Sequence, residues 1–276
     1  FNELMAWIAS WFNVLPLEQA IDQLAQQSLP ERAAAITFDD GYADNYSVAL
    51  PILKKHGLQA TFFIATGFLN GGRMWNDTII ESIRRSPLTK LDCSSIKLGI
   101  YPLNSLAEKR EAIRLLIQKV KYHPIQKRLE LTNNIADLAQ AKPPSDLMMT
   151  TEEVIQLRRA GMQIGAHTVS HPILAKIDIS DARLEIQESK RFLEDILGER
   201  IRLFAYPNGK PNIDYLKDHV ALIKDLGFDA AVTTAIGSTN LDGADFFQLP
   251  RFTPWEKRKF RFWFSLLKNL LRSRIQ

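Results

Sequence analysis

The chain has 276 residues, 46% of them hydrophobic and 24% charged, enough apolar material for one α/β-barrel-sized domain or two small ones. Its single cysteine, Cys93, excludes a disulfide framework and every multi-cysteine metal site, and no apolar run approaches the roughly 20 residues that span a bilayer. The formal charge of +4 is confined to the tail: residues 257–276 hold seven Lys or Arg and no acid, which leaves 28 basic against 31 acidic residues elsewhere and argues against a nucleic-acid-binding face.

Taken in chain order, residues 33–39 are a short apolar run ending at Asp39-Asp40-Gly41, where glycine permits a sharp turn. Residues 44–56 read as a helix with Gly57 at the stop position, and residues 59–66 as a β-rich strand. From 70 to 147 the alternation lapses. There 105–121 looks helical and Lys142-Pro143-Pro144-Ser145 looks like a linker, so the stretch reads as a mainly helical insertion within one domain spanning 1–276. Thr150-Thr151-Glu152-Glu153 then offers a capping box for a helix to residue 160, closed by Gly161. A strand over 162–167, a helix over 180–197 stopped by Gly198, and a strand over 202–206 broken by Pro207 come next. A helix over 214–226, stopped by Gly227, and a strand over 228–233 complete the repetition, which predicts a parallel sheet, closed as a barrel or doubly wound.

The last element expected is a basic amphipathic helix over about 256–273. Phe260, Trp263, Phe264, Leu267, Leu270 and Leu271 recur at i, i+3, i+4 spacing among Lys257, Arg258, Arg261, Lys268 and Arg272. Such a helix either closes one end of the barrel or lies on an anionic membrane surface. No secretory signal is visible, so the expected place is the cytoplasm, at the inner membrane surface if the helix docks there.

Chemistry-bearing residues collect where predicted strands end. In parallel α/β folds those ends form one face, so residues distant in sequence meet there. Adjacent carboxylates repel, and a shared site holds both only when a cation neutralises them. His167 and His171 are spaced i, i+4, and one helical turn would set both imidazoles on one side. One carboxylate of the Asp39-Asp40 pair with these two imidazoles makes a three-ligand site with positions left for water and substrate.

Thr37-Phe38-Asp39-Asp40-Gly41-Tyr42 and His167-Thr168-Val169-Ser170-His171-Pro172 closely resemble the first two signature motifs of the polysaccharide deacetylases, carbohydrate esterase family four. The resemblance runs from about residue 33 to 252 and implies an α/β fold, a distorted (β/α) barrel, that hydrolyses N-acetyl groups of an amino-sugar glycan. By position it implies Asp39 as catalytic base, and Asp40, His167 and His171 as ligands of a divalent ion. Zn²⁺ is the first choice, while Co²⁺, Ni²⁺ and Mn²⁺ also suit such donors. Where relatives often carry Arg-x-Pro-Tyr-Gly, this chain has Ala205-Tyr206-Pro207-Asn208-Gly209, so the arginine that orients the base is absent and the Asn208 N–H stands at the oxyanion position. Arg251, in Leu249-Pro250-Arg251-Phe252, stands where the last motif places a catalytic histidine, and it is expected to reach across the barrel mouth to Asp39. Tyr42, Tyr206, Pro207 and Trp75 are the candidate substrate contacts, Trp75 as a sugar-stacking platform.

Without that histidine, the general acid is either Asp39 itself or a Tyr-His strand that relatives carry before the point where this chain begins. Two other readings stay open: a carbohydrate-binding protein on the same fold without activity, and a hydrolase of another non-peptide C–N bond. The sequence assigns no oligomeric state.

Overall fold

The computed structural model describes residues 1–239, 243–253, 256 and 258–272, and the chain divides into two units, Phe1–Asn70 with Met149–Gln276 and Gly71–Met148. The first unit opens with α1 (Asn2–Trp11), β1 (Asn13–Val14) and α2 (Leu17–Ala25), followed by β2 (Ala33–Ala34) and β3 (Thr37–Phe38). The strand expected over 33–39 is thus two pieces, β2 pairing with β1 while β3 joins the main sheet. A π-helical turn, Asn45–Ala49, runs into α3 (Leu50–Lys55), and β4 (Thr61–Ile64) follows.

The second unit holds α4 (Trp75–Arg85), the antiparallel pair β5 (Lys90–Cys93) and β6 (Gly99–Pro102), α5 (Leu106–Val120) and α6 (Ile125–Leu138). α5 starts on a capping box, Ser105 accepting from the Glu108 amide while Glu108 accepts from Ser105. Ile79, Ile83, Leu91, Leu116 and Ile135 are fully buried and form this unit's own core. Cys93 lies in that core, where burial raises its thiol pKa to about 11, an inert thiol.

The first unit resumes with α7 (Thr151–Arg159), β7 (Gln163–Ala166), α8 (Ile179–Leu197), β8 (Leu203–Ala205), α9 (Lys217–Asp225), β9 (Ala230–Val232) and α10 (Lys259–Arg272). The Thr150–Glu153 capping box starts α7, and Gly198 ends α8 in the left-handed conformation (φ 67°). The five-stranded sheet runs β3-β4-β7-β8-β9, every pair parallel, and Leu249 extends it beside Val232. Side chains alternate across it as a pleat requires. Phe62, Ile64, Phe204 and Ala231 pack with residues of α3, α7 and α8, whereas Phe63, Leu203, Ala205, Ala230 and Val232 form a second, inner cluster. Gly165 makes that interior possible, since a Cβ there would lie 2.5 Å from the Phe63 ring. The curled sheet with its outer helices is the distorted (β/α) barrel.

α2 supplies Leu17, Ile21 and Leu24 to the inner cluster. Its Glu18 amide donates to Gln163 at the start of β7, and Arg202, just before β8, pairs with Glu18 and Asp22. α2 therefore covers the N-terminal strand ends, leaving the C-terminal ends for the site. α10 packs on α1: Phe262, 2% exposed, meets Trp7 and Trp11 as well as Phe252. Lys257 and the side chains of Leu270, Leu271 and Arg272 lie outside the described residues. Among the described residues, no helix is long and apolar enough to cross a membrane.

Candidate active site

β3 ends one residue before Asp39, and the chain reverses through Asp40 (φ 78°) and Gly41 (φ 89°). A left-handed aspartate is strained by about 1–3 kcal/mol, and it persists only where surroundings fix it. Here Gly41 donates to the Asp39 carbonyl, Ala65 to the Asp40 carbonyl, and Met149 to the Gly41 carbonyl. The result is that two adjacent carboxylates face different partners.

Asp40 faces the imidazoles. Its Oδ1 lies 3.4 Å from His167 Nε2 and 3.5 Å from His171 Nε2, and one ligand atom from each residue falls within 4.8 Å of the others. His167 leaves the end of β7, its amide bonded to the Ile64 carbonyl. Its Nδ1 lies 2.7 Å from the Ala205 carbonyl, an acceptor only, so Nδ1 carries a proton there and Nε2 is the ring nitrogen that faces Asp40. Burial alone would lower the His167 pKa, but the Asp40 and Asp39 carboxylates and the Ala205 carbonyl override it and hold the value above the ordinary one. A cation would replace the proton that this negative surround favours. The donor set of two nitrogens and one oxygen therefore fits a divalent ion.

The histidines do not meet by a helical turn, which corrects the expected local geometry. A loop carries them, bent by left-handed Thr168 (φ 65°) and His171 (φ 51°), with the His171 amide donating to Thr168 Oγ1 at 3.1 Å. Glu185 of α8 clamps this loop, accepting from the Val169 amide at 2.9 Å, the Ser170 amide at 2.8 Å and Ser170 Oγ at 2.6 Å. From the other side, Thr66 and Gly67 donate to the Thr168 and Val169 carbonyls. Sequence reasoning missed both supports. The available signal was that Glu185 directly precedes Ile186 on the buried stripe Ala182, Ile186, Ser189 and Leu193.

Asp39 faces Arg251. The expected pair is bidentate, Nη1 to Oδ1 and Nη2 to Oδ2, both 2.7 Å. The guanidinium is itself aimed: its Nε donates to the Thr233 carbonyl at 2.7 Å, Nη1 also reaches Thr37 Oγ1 at 3.2 Å, and the Arg251 amide donates to the Ala235 carbonyl. Desolvation would raise the Asp39 pKa, but the Arg251 charge and hydrogen bonds prevail and hold the carboxyl below the ordinary range. Arg251 thus reaches Asp39 from beyond β9, not from β8, where Ala205 stands.

Asn208 occupies a tight turn (φ 59°) closed by the Gly209 amide on the Pro207 carbonyl, and Thr234 Oγ1 donates to the Asn208 carbonyl. Tyr42 follows Gly41 on the acidic turn, partly exposed. Two of the proposed substrate contacts need correction. Tyr206 is fully buried, stacked on Tyr215 at 3.8 Å and donating its hydroxyl to the Phe247 carbonyl, so its ring serves the core. Pro207 is buried as well. Trp75 belongs to the second unit, where it packs against that unit's core with the Arg128 guanidinium 5.2 Å from its ring centroid.

Comparison with known proteins adds a frame to this geometry. A family model described as polysaccharide deacetylase matches residues 26–231. YxkH of Bacillus subtilis (strain 168), which bears a polysaccharide-deacetylase name, is 23% identical over 244 residues, covering 88% of this chain and 60% of its own length. The chain therefore spans less than two thirds of that relative. The structure of Streptococcus pyogenes deacetylase PplD in complex with acetate aligns with TM-score 0.61 at 19% identity, over 98% of this chain and 86% of that one. IcaB from Ammonifex degensii aligns at 0.57 with 19% identity, over 92% of this chain and 83% of that one. At these identities the structural likeness is one of fold.

Proposed function

The chain belongs to the polysaccharide deacetylase family, and from that premise we propose that it hydrolyses N-acetyl groups of an amino-sugar glycan with the help of a divalent ion. The observation that carries this reading is the division of two adjacent carboxylates: Asp40 turned to His167 and His171, Asp39 held by Arg251. An ion held by Asp40, His167 and His171, Zn²⁺ first among the candidates, would polarise the acetyl carbonyl and acidify the attacking water.

Asp39 is the base. Ionised by its arginine and aimed by the bidentate pair, it accepts the water's proton as the C–O bond forms. The Asn208 N–H, on its tight turn, is assigned to the developing oxyanion. As the C–N bond breaks, the Asp39 carboxyl returns the proton to the leaving nitrogen, giving acetate and a free amine. No histidine stands at position 251 to share the work. Arg251 keeps the base ionised and oriented, at the expense of some basicity.

The metal assignment has its own test. Replacing His171 with alanine removes one of three ligands, so the purified variant should retain little of the bound Zn²⁺ that the parent holds, measured by elemental analysis after equilibration with the metal. Stoichiometric metal in His171→Ala would overturn the ligand set.

A further inference from the structure

Exposed apolar side chains are scattered over the molecule, but one group is contiguous on a single helix. Phe260, Phe264 and Leu267 of α10, at i, i+4 and i+7, are 80%, 52% and 52% exposed, with Trp263 beside them at 41%. Packing uses a different side of the same helix, apart from Trp263, whose ring centroid lies 3.5 Å from that of Trp11. Phe262 is buried against Trp7, Trp11 and Phe252, and Asn269, also buried, donates to the Gly237 carbonyl. α10 is therefore apolar in two directions, and among the described residues Phe260, Phe264 and Leu267 on the second are left exposed. A contiguous apolar stripe left in water marks an interaction site.

The charges around the stripe decide what covers it. Residues 257–276 contain seven Lys or Arg and no acid. Arg258, Arg261 and Lys268 are exposed, and Lys268 Nζ lies 4.6 Å from the Phe264 ring centroid. At about 100° per residue, Arg261 and Lys268 fall along the Phe264 edge of the stripe. A second copy laid on this face would bring like charges together, which is unfavourable. An anionic lipid surface answers both features: rings enter the boundary below the headgroups while long cationic side chains reach the phosphates.

We propose that α10 docks flat on an anionic phospholipid surface through Phe260, Phe264 and Leu267, with Arg261 and Lys268 at the headgroups. With 14 residues α10 lies on a bilayer and does not span it. Its Asn269–Gly237 bond ties it to the segment after β9, two residues from the Ala235 carbonyl that supports Arg251, so docking holds the catalytic unit against the surface.

Sedimentation of the full chain with phosphatidylcholine vesicles, with and without phosphatidylglycerol, tests this. Binding is expected with phosphatidylglycerol at low salt, not with phosphatidylcholine alone, and should weaken at about 0.5 M salt. The double variant Phe264→Ser, Leu267→Ser keeps the net charge and changes only exposed positions, and it should bind about tenfold or more weakly. Arg261→Glu with Lys268→Glu should weaken binding as well. Absence of binding by the full chain at low salt, or equal binding by the serine variant, overturns the proposal. So does a dimer in solution that the serine variant converts to monomer, because the stripe would then be a self-association face.

Discussion

The two aspartates at the end of β3 illustrate how neighbours of identical chemistry acquire different work. In a regular strand their side chains would point to opposite faces; the left-handed Asp40 changes that, sending one carboxylate to the imidazoles and leaving the other to Arg251. Holding the imidazoles falls to residues outside the Asp40, His167 and His171 set. Glu185 accepts three hydrogen bonds from the Val169–Ser170 segment, and an ionised acceptor makes each of them stronger than a neutral one. Glu185→Ala leaves those donors unmet and frees the loop, so Zn²⁺ affinity should fall by about 10–100-fold, as expected for residues that orient metal ligands. Glu185→Gln, which retains an acceptor of similar shape, should lose less. Calorimetric titration with Zn²⁺ measures both, and unchanged affinity in the alanine variant would show that the loop needs no clamp.

At the scale of elements, the site depends on close approach between loops. The segment after β4 passes so near the histidine loop that a Cβ on Gly67 would stand 2.8 Å from the Val169 carbonyl oxygen, a backbone atom with little room to move. Gly67→Ala should therefore cost about 1–3 kcal/mol. Thermal unfolding would register this as a Tm several degrees lower, and an unchanged Tm would refute the close approach. At the opposite end, Asp229 joins β9 to the segment before β8 through Arg200 and Arg202, and Arg202 continues to Asp22 of α2. Partial burial would raise the Asp229 pKa, but hydrogen bonds and charge from the two arginines hold it below the ordinary value. A carboxylate depressed in the folded state stabilises fully above its unfolded pKa and loses that contribution as pH falls through the folded one. Asp229→Asn should then lower stability at neutral pH by about 1 kcal/mol, a difference that fades on acidification below the ordinary carboxylate range. A gap that stays constant with pH in denaturant titrations would contradict the assignment.

For the molecule as a whole, the repeating strands and helices of the barrel were legible because each strand is an apolar run and each helix has a cap or a terminal glycine. Residues 1–32 were not. β1 and β2 span two residues each, too short to display alternation, and Leu17, Ile21 and Leu24 of α2 carried a helical spacing that passed unread. In the second unit the β5–β6 pair hid behind Lys90 and Asp92, which face outward while Leu91 and Cys93 are buried. The site's acidic and imidazole members were readable from their motifs, and Arg251 from the absence of arginine at position 205. The histidine loop was not, since i, i+4 spacing suits a helical turn and a loop with two left-handed residues equally. Nor could Tyr206 be separated from a groove residue before its hydroxyl partner and stacking were known. The central proposal is that Asp39 moves the proton while Asp40, His167 and His171 hold a divalent ion. The rate of acetate release from N-acetylglucosamine oligomers by the Zn²⁺-loaded chain and its Asp39→Asn variant tests it most directly. The parent should turn over, and the variant should be slower by about 10²-fold or more. No acetate from the loaded parent on any N-acetylated glycan, or undiminished release by Asp39→Asn, would contradict the account.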